Sequence, residues 1–485
     1  MSDIKTNIGP NPEVNRYGAD RLGERLTGFQ SYDHLNPAGG LEAAIKLRET
    51  GSLDLTCPGL DDVSELEALA RFGQGESMKG SVSTAFRTAE VYYTLSAARL
   101  NSTLNPDQRS VDRFMEVGAE LYGKPNTDVI GWCRSWAYGG LEMIQGASQE
   151  ISDLISKISD GYTITRDGSE VIVPSIGEVF GPNSADYDNG FKISDEAKEK
   201  LLSFFENRIG PAYRSMEDAV NSGKLKFPLE AQGIKEAFEM GIDGLGMAEA
   251  IGAELEEGST VLSWSSVDAK VKIGSDRVSI KNIDELKAVF AHEVGVHGIR
   301  YVKGLELEDP NLVSGTFYEP VEGYDGPASY LDFEEGLASL VQKLISNKPL
   351  MSIQNAGYHL IAHMAEQGYE PAVIQAFCTN LRVLGSAATV LKRRGEVNKE
   401  RIDRLYGTQG LASAKQVIRM FRGTPTDEPL RTTSGAVIYY PKDLAYANGI
   451  IGVIRYLEGG PKMDKLLDCG KIDPRNPIYE SVGQL

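Results

Sequence analysis

Apolar positions recur along most of this chain at intervals of three and four, the spacing of a single helix face. Leu41 to Leu47 and Val63 to Phe72 are short amphipathic pieces, and Gly73 to Ser83 is a polar, glycine-bearing boundary. From Thr84 to about Gly146 the pattern is helical, with Phe86, Val91 and Leu95 in a stretch free of Pro and Gly. Asn105-Pro106 supplies a cap and a first-turn proline for a helix that runs to Leu121 and stops at Tyr122-Gly123-Lys124-Pro125. Asp128 to Met143 forms the next helix and carries Trp132 and Trp136. Ser194 to Ile209 is helical, Pro211 interrupts it, and Tyr213 to Val220 continues. Leu229 to Met240 follows, and the glycine-rich stretch to Gly258 reads as more helix. Late helices cover Tyr330 to Asn347, most of Ile353 to Arg394, Leu411 to Phe421 and Asp443 to Tyr456.

Period-two alternation is confined to small pieces. Tyr162 to Val173 reads as a hairpin turned at Asp167-Gly168. A second hairpin carries Val271 and Ile273 out and Val278 and Ile280 back, turning at Gly274-Ser275-Asp276. Gly435 to Tyr440 reads as a late strand, and residues 303 to 328 as loop. Asn282, with Glu285 three residues on, caps a helix whose buried face is Ile283, Leu286, Val289 and Phe290. The fold class is therefore α+β and predominantly α-helical, with small β-hairpins or a small sheet beside that helix. It divides into an N-terminal extension (1–80), a helical domain (81–260), a further domain that holds this capped helix (261–460) and a C-terminal tail (461–485).

Composition narrows the partners. The 485 residues carry a formal net charge of −19, which disfavours nucleic acid and anionic membrane. The first residues lack the apolar core of a secretory signal, and no apolar run reaches the length of a membrane span. Cys57, Cys133, Cys378 and Cys469 are far apart and read as reduced thiols of a cytoplasmic protein.

Of the five histidines, two fall in Ala291-His292-Glu293-Val294-Gly295-Val296-His297. Two neutral imidazoles and an adjacent carboxylate are what a zinc enzyme needs to hold its ion and take a proton from bound water. The common His-Glu-x-x-His spacing places both rings on one helix face. Here there is one residue more. On a regular helix five residues turn through roughly 500°, leaving the rings about 140° apart. A π-bulge absorbs the extra residue, and Gly295 lowers the steric cost of that turn.

A third ligand must come from elsewhere, and Glu334 and Glu335 on the next long helix both qualify by position. They point in different directions, so only one of them ligates. His359 and His363, at i and i+4, form a rival pair without a following carboxylate and read as core or supporting residues. His34 stands alone in a polar segment.

His292-Glu293-Val294-Gly295-Val296-His297 followed by Glu334-Glu335-Gly336-Leu337-Ala338 resembles the tyrosine/phenylalanine carboxypeptidase domain family, whose motifs are His-Glu-Ile-Gly-Thr-His and Gln-Glu-Gly-Leu-Ala. Bacterial members are the flavohemoglobin expression-modulating QEGLA-motif proteins, and an animal member is the microtubule-associated tyrosine carboxypeptidase. Leu121-Tyr122-Gly123-Lys124-Pro125, Arg422-Gly423, and Lys442-Asp443 with Tyr446 are similar to further elements of that family. The likeness spans roughly residues 85 to 455. Glu334 stands where the family has Gln.

The resemblance implies a zincin-like metallopeptidase. His292, His297 and Glu335 would hold Zn2+, Glu293 would be the general base, and the substrate would be a peptide or protein C-terminus ending in Tyr or Phe. A carboxypeptidase also grips the terminal carboxylate, for which Arg300, Arg422 and Lys442 are candidates. Tyr439, Tyr440 and Tyr446 could line an aromatic pocket. The competing expectations are an aminopeptidase or endopeptidase on a similar scaffold, a non-catalytic zinc protein, and a metal-free helical binding protein.

Overall fold

The computed structural model describes residues 40–50, 108–145, 151–166, 169–183, 191–307, 312–313, 315, 326–327, 329–422 and 429–476. The expected features at Val63–Phe72, Thr84–Leu95, Asn105-Pro106 and His34 lie outside them. Helices dominate, and the two sheets are small.

In chain order the first elements are α1 (Gly40–Thr50), α2 (Gln108–Tyr122), α3 (Thr127–Ile144) and α4 (Ser152–Asp160). The expected hairpin follows, β1 (Tyr162–Arg166) pairing antiparallel with β2 (Ser169–Val173), then the short α5 (Ile176–Phe180). Next come α6 (Asp195–Asn221), α7 (Ala231–Gly244), β3 (Gly252–Glu256), β4 (Leu262–Ser265), β5 (Lys270–Gly274) and α8 (Ile283–Phe290). A π-helix over Ala291–Gly298 continues without a break into α9 (Ile299–Glu306). The chain ends with α10 (Leu331–Ile345), α11 (Ile353–Glu366), α12 (Pro371–Arg394), α13 (Lys399–Phe421), a 3-10 turn (Pro441–Leu444), α14 (Ala445–Glu458) and a second 3-10 turn (Met463–Leu466).

Two apolar cores organise these elements. The first gathers α1, α3, α4, the β1–β2 hairpin and α11 to α13 around residues such as Val129, Ile361, Leu384 and Val417. The second gathers α6, α7, the β3–β5 sheet, α8, the π-helix and α10 around Phe205, Phe238, Ile273, Phe290 and Leu340. Each such buried side chain contributes about 1.5–3 kcal/mol relative to exposure. Helix α14 is a shared wall: Ala447 and Ile451 enter the first core, while Ile450, Val453 and Leu457 enter the second. A boundary at residue 260 falls between β3 and β4 of one sheet, and Leu466 and Leu467 of the C-terminal segment are buried in the second core.

Several elements differ from the sequence expectation. Pro211 lies inside α6 and does not end it. Ile209, Ala212, Tyr213 and Met216 around it are buried, so packing offsets the one hydrogen bond that proline removes. The segment before Gly258 holds β3, which pairs in parallel with β5. The hairpin partner of β5 is β4, before it in sequence. Val278 is instead 79% exposed, and Ile280 makes only an isolated bridge to Leu229. Gly435 to Tyr440 is not a strand; its single bridge joins Val437 to Arg431. Residues 303 to 306 are still helical in α9. The Asn282 cap stands as expected, with its side chain accepting the Glu285 N–H at 2.9 Å.

Candidate metal centre

Asn282 starts α8 squarely under the second core, which carries the chain into Ala291–Gly298 with Phe290, Ala291, Val294 and Val296 all buried. The π-helix there is the bulge that the six-residue motif requires: i→i+5 bonding brings residues five apart onto one side. The ring centroids of His292 and His297 are 5.1 Å apart. Gly295 and Gly298 let this face pack down, since a Cβ on either would press against Ile209 or Ile251.

The third element is α10, which crosses α14 where Gly336 meets Gly449. A Cβ on Gly336 would land on the Gly449 backbone, and one on Gly449 on the Asp332 carbonyl. That close crossing fixes the two neighbouring glutamates in different roles. Glu335 faces the two histidines, its Oε2 lying 3.8 Å from the Nε2 of His292 and 3.8 Å from the Nε2 of His297. Tetrahedral zinc with bonds of about 2.0–2.1 Å places its ligand atoms about 3.4 Å apart, so the three converge on one small cation with little adjustment. One ligand atom each from His292, Glu293 and His297 also lies within 4.8 Å of the others. The donor set of two imidazoles and carboxylates fits a divalent transition metal such as zinc.

Glu334 turns the other way. Its Oε1 is 2.7 Å from Nδ1 of His297, so Nδ1 carries the proton and Nε2 is left free to ligate. Glu334 is 1% exposed. Lys471 donates to its Oε1 at 2.7 Å, and Arg300 Nε lies 3.6 Å from its Oε2. Burial would raise the Glu334 carboxyl, but Lys471, Arg300 and His297 prevail and hold it well below the usual carboxylate range. Burial alone would depress His297; its bond to Glu334 and the charges of Glu335 and Glu334 raise it instead. His292 has no such partner. Burial and its neighbour His297 push it down to about 3, which keeps it neutral. Its Nδ1 makes no well-formed hydrogen bond, with Gln342 and the Ala338 backbone as the nearest groups favouring a proton there.

Glu293 is buried beside the cluster, and burial pushes its carboxyl up to about 8. The nearby Glu335 adds to this, while His297, a hydrogen bond from the Trp264 backbone and the Arg277 charge oppose it. Trp264 lies on β4, the outer strand of the β3-β5-β4 sheet, so an edge strand borders the cluster. Tyr446, on α14, is half-buried, and the Glu335 charge followed by burial raises its hydroxyl well above the ordinary value.

The other expected residues separate. Arg300 is fully buried and bonds the carbonyls of Gly470, at 2.8 Å, and Ile472. It cannot reach a substrate. Arg422 is 6% exposed, stacks over Tyr440 with its carbon 4.9 Å from the ring centroid, and pairs with Asp443 at 3.3 Å. It too is structural. Lys442 is half-buried beside Asp443. Tyr439 and Tyr440 are buried, Tyr439 donating to Glu366 at 3.0 Å. His359 accepts from the Asn126 N–H at 3.0 Å and contacts the Leu444 carbonyl at 3.1 Å, a core role. His363 faces the Val179 carbonyl and Gln367.

Three contributors escaped the sequence reading. Lys471 comes from the C-terminal segment. Arg277 sits half-buried beside Glu293, between β5 and α8. Arg419, on α13, joins Asp443 through its Nε at 2.9 Å. Only Lys471 had a possible signal: a second carboxylate next to a ligand, in an apolar helix, requires a buried cation somewhere. Neither models of known protein families nor curated protein sequences match the chain. Among the described residues no helix is long and apolar enough to cross a membrane.

Proposed function

We propose that this chain is a zinc-dependent metallopeptidase with a zincin-like site, a carboxypeptidase that removes a C-terminal Tyr or Phe from peptides or proteins. In this reading it belongs with the tyrosine/phenylalanine carboxypeptidases that its motifs resemble, and it acts in the cytoplasm. The observation that carries the reading is the convergence of His292 Nε2 and His297 Nε2 on one oxygen of Glu335, with Glu293 alongside. A purely structural site has no use for that second carboxylate.

Zinc held there would acidify its water toward a pKa of about 7 and polarise the scissile carbonyl. The residues do the rest. His292 offers a lone pair because burial keeps it neutral. Glu334 fixes the ring of His297. Glu293, whose affinity for a proton is raised by burial, takes one from the attacking water and returns it to the leaving amine. Tyr446, a neutral donor near Glu335, would hydrogen-bond the oxygen on which charge develops. The edge strand β4 can hold an extended peptide by main-chain hydrogen bonds.

The test is metal analysis combined with release of the terminal residue from N-blocked and C-amidated peptides. Wild type should hold about one zinc per chain. It should cleave the N-blocked peptide and spare the amide. Glu293→Gln should keep the metal and lose hydrolysis, and His292→Ala should lose both. Glu293→Gln cleaving as fast as wild type would end the proposal. Cleavage of the amidated peptide favours an endopeptidase or aminopeptidase, and bound zinc without any hydrolysis favours a non-catalytic zinc protein.

A further inference from the structure

A carboxypeptidase needs a cation for the free end of its substrate, and both Arg300 and Arg422 are buried and committed elsewhere. We propose that Arg419 binds the α-carboxylate of the substrate's last residue, with Asp443 aiming its guanidinium and Tyr358 and Tyr446 flanking the substrate side chain. This rests on the metallopeptidase reading above and deepens it.

The geometry begins with Asp443, which is fully buried at the 3-10 turn before α14. Its Oδ2 accepts from Arg419 Nε at 2.9 Å, and its Oδ1 lies 2.7 Å from Arg419 Nη2. One hydrogen bond, from Nε to Oδ2, and the ion pair to Oδ1 thereby hold one side of the guanidinium. Among the described residues Asp443 is its only hydrogen-bond partner. A guanidinium has five N–H donors, so a second edge remains for a ligand. The Arg419 side chain is 44% exposed, whereas that of Arg422, which shares Asp443, is 7% exposed. Of the two arginines, Arg419 is the one that reaches the surface.

Its position relative to the metal cluster follows from α14. Tyr446 lies three residues after Asp443 and one turn before Gly449, where α14 crosses α10 beside Glu335. The Tyr446 hydroxyl feels Glu335 most strongly and Arg419 next among the charges. Arg419 and Glu335 are thus both close to Tyr446. Its guanidinium also lies over the Tyr358 ring, 5.8 Å from the centroid.

Charge points the same way. Arg419, Arg422 and Lys442 surround the single carboxylate of Asp443, a local positive excess in a chain of net charge −19. A planar fork already held on one side binds a carboxylate bidentately with little further ordering. The ligand class this selects is a peptide ending in a free carboxylate, with an aromatic last side chain.

The experiment uses the full chain loaded with zinc and N-acetylated peptides ending in Phe, as free acid and as amide. Arg419→Gln should raise KM for the free acid about tenfold or more, with a smaller change in kcat. It should also erase the preference for acid over amide. Arg419→Lys keeps the charge without the fork and should fall between. In parallel, N-acetylphenylalanine should bind the zinc-loaded Glu293→Gln protein more tightly than its amide does, and Arg419→Gln should abolish that difference. If Arg419→Gln folds, holds zinc, and keeps wild-type KM and preference, Arg419 is not the anchor although the peptidase reading stands. If Arg419→Gln fails to fold, an unchanged KM in Arg419→Lys overturns the proposal. Equal cleavage of acid and amide by wild type overturns it in favour of an endopeptidase. A wild type that binds no metal and cleaves nothing removes the peptidase reading and this assignment together.

Discussion

His297 and Glu334 face each other at 2.7 Å, Nδ1 to Oε1, while the other ring nitrogen, Nε2, faces Glu335. That contact decides which ring nitrogen meets a metal. A carboxylate there also makes the imidazole a better donor, and loss of such a partner usually costs 10–100-fold in metal affinity or activity. Glu334→Gln should therefore weaken zinc binding by about that factor while leaving Glu335 in place. Competition with a chromophoric chelator measures this. An affinity equal to wild type would show that the ring is fixed by packing alone.

Burial of Glu293 gives the metal-free protein an alkaline weakness. Its carboxyl is pushed up to about 8, against about 4.3 when unfolded. A group that binds its proton more tightly when folded stabilises fully below its unfolded value and stops doing so as pH rises through its folded one. Metal-free wild type should lose stability between about pH 5 and pH 8, by at most a few kcal/mol. Glu293→Gln, neutral throughout, should lose less. Thermal unfolding of chelator-treated protein across that range provides the comparison, and identical slopes would refute the assignment.

His292 gives an acid limb of opposite sense. Burial, helped by His297, pushes it down to about 3, below an unfolded value of about 6.5. Its contribution is present above about pH 6.5 and is lost as pH falls toward 3. His292→Asn should make the metal-free protein less sensitive to that fall, read by the same unfolding scans. A wild-type acid slope in the variant would assign the limb to other groups.

The crossing of α10 over α14 is close enough to be tested by a single methyl. Gly336→Ala and Gly449→Ala each put a Cβ into the opposing backbone, where no side chain can swing aside. Each should destabilise by about 1–3 kcal/mol or more, since overpacking at backbone contact has no cheap relief. Gly336→Ala should also displace Glu335 and reduce zinc binding. Gly139→Ala, where a Cβ meets nothing within 4 Å, is the control. Wild-type melting of Gly336→Ala would mean that the two helices do not meet backbone to backbone.

What the sequence made legible was whatever a local constraint enforced. The extra residue between His292 and His297 could be reconciled with one shared ion only by a π-turn, and a π-helix spans those residues. The Asn282 cap and the Tyr162–Val173 hairpin were written in short-range signals and stand. Strand β3 was not legible, because Gly252 to Glu256 alternates over only a few residues that are otherwise good helix formers (Ala253, Glu254, Leu255, Glu256), and pairing with β5 decides the strand. Arg300 looked like a surface cation beside the motif. Its burial depends on carbonyls at Gly470 and Ile472, a dependence that no pattern around residue 300 can encode.

Lys471 is the sharpest case of such long-range dependence, and it carries the last prediction. It is 2% exposed and reaches Glu334 across 137 residues of sequence. Breaking a buried pair on one side leaves an uncompensated charge and typically costs 3–5 kcal/mol, whereas removing both charges is often nearly neutral. Lys471→Met alone should therefore destabilise strongly, because Glu334 would keep only the longer contact to Arg300 and its bond to His297. Adding Glu334→Gln to Lys471→Met should recover most of that loss without restoring zinc affinity, since the carboxylate behind His297 is then absent. Denaturant unfolding of the four members of this cycle gives the coupling, which should be at least as large as the loss recovered, about 3 kcal/mol or more. The two properties would then separate: charge balance between Lys471 and Glu334 governs folding, and the Glu334 carboxylate governs the metal. Additive effects of the two substitutions would show that Lys471 supports the fold without acting on Glu334.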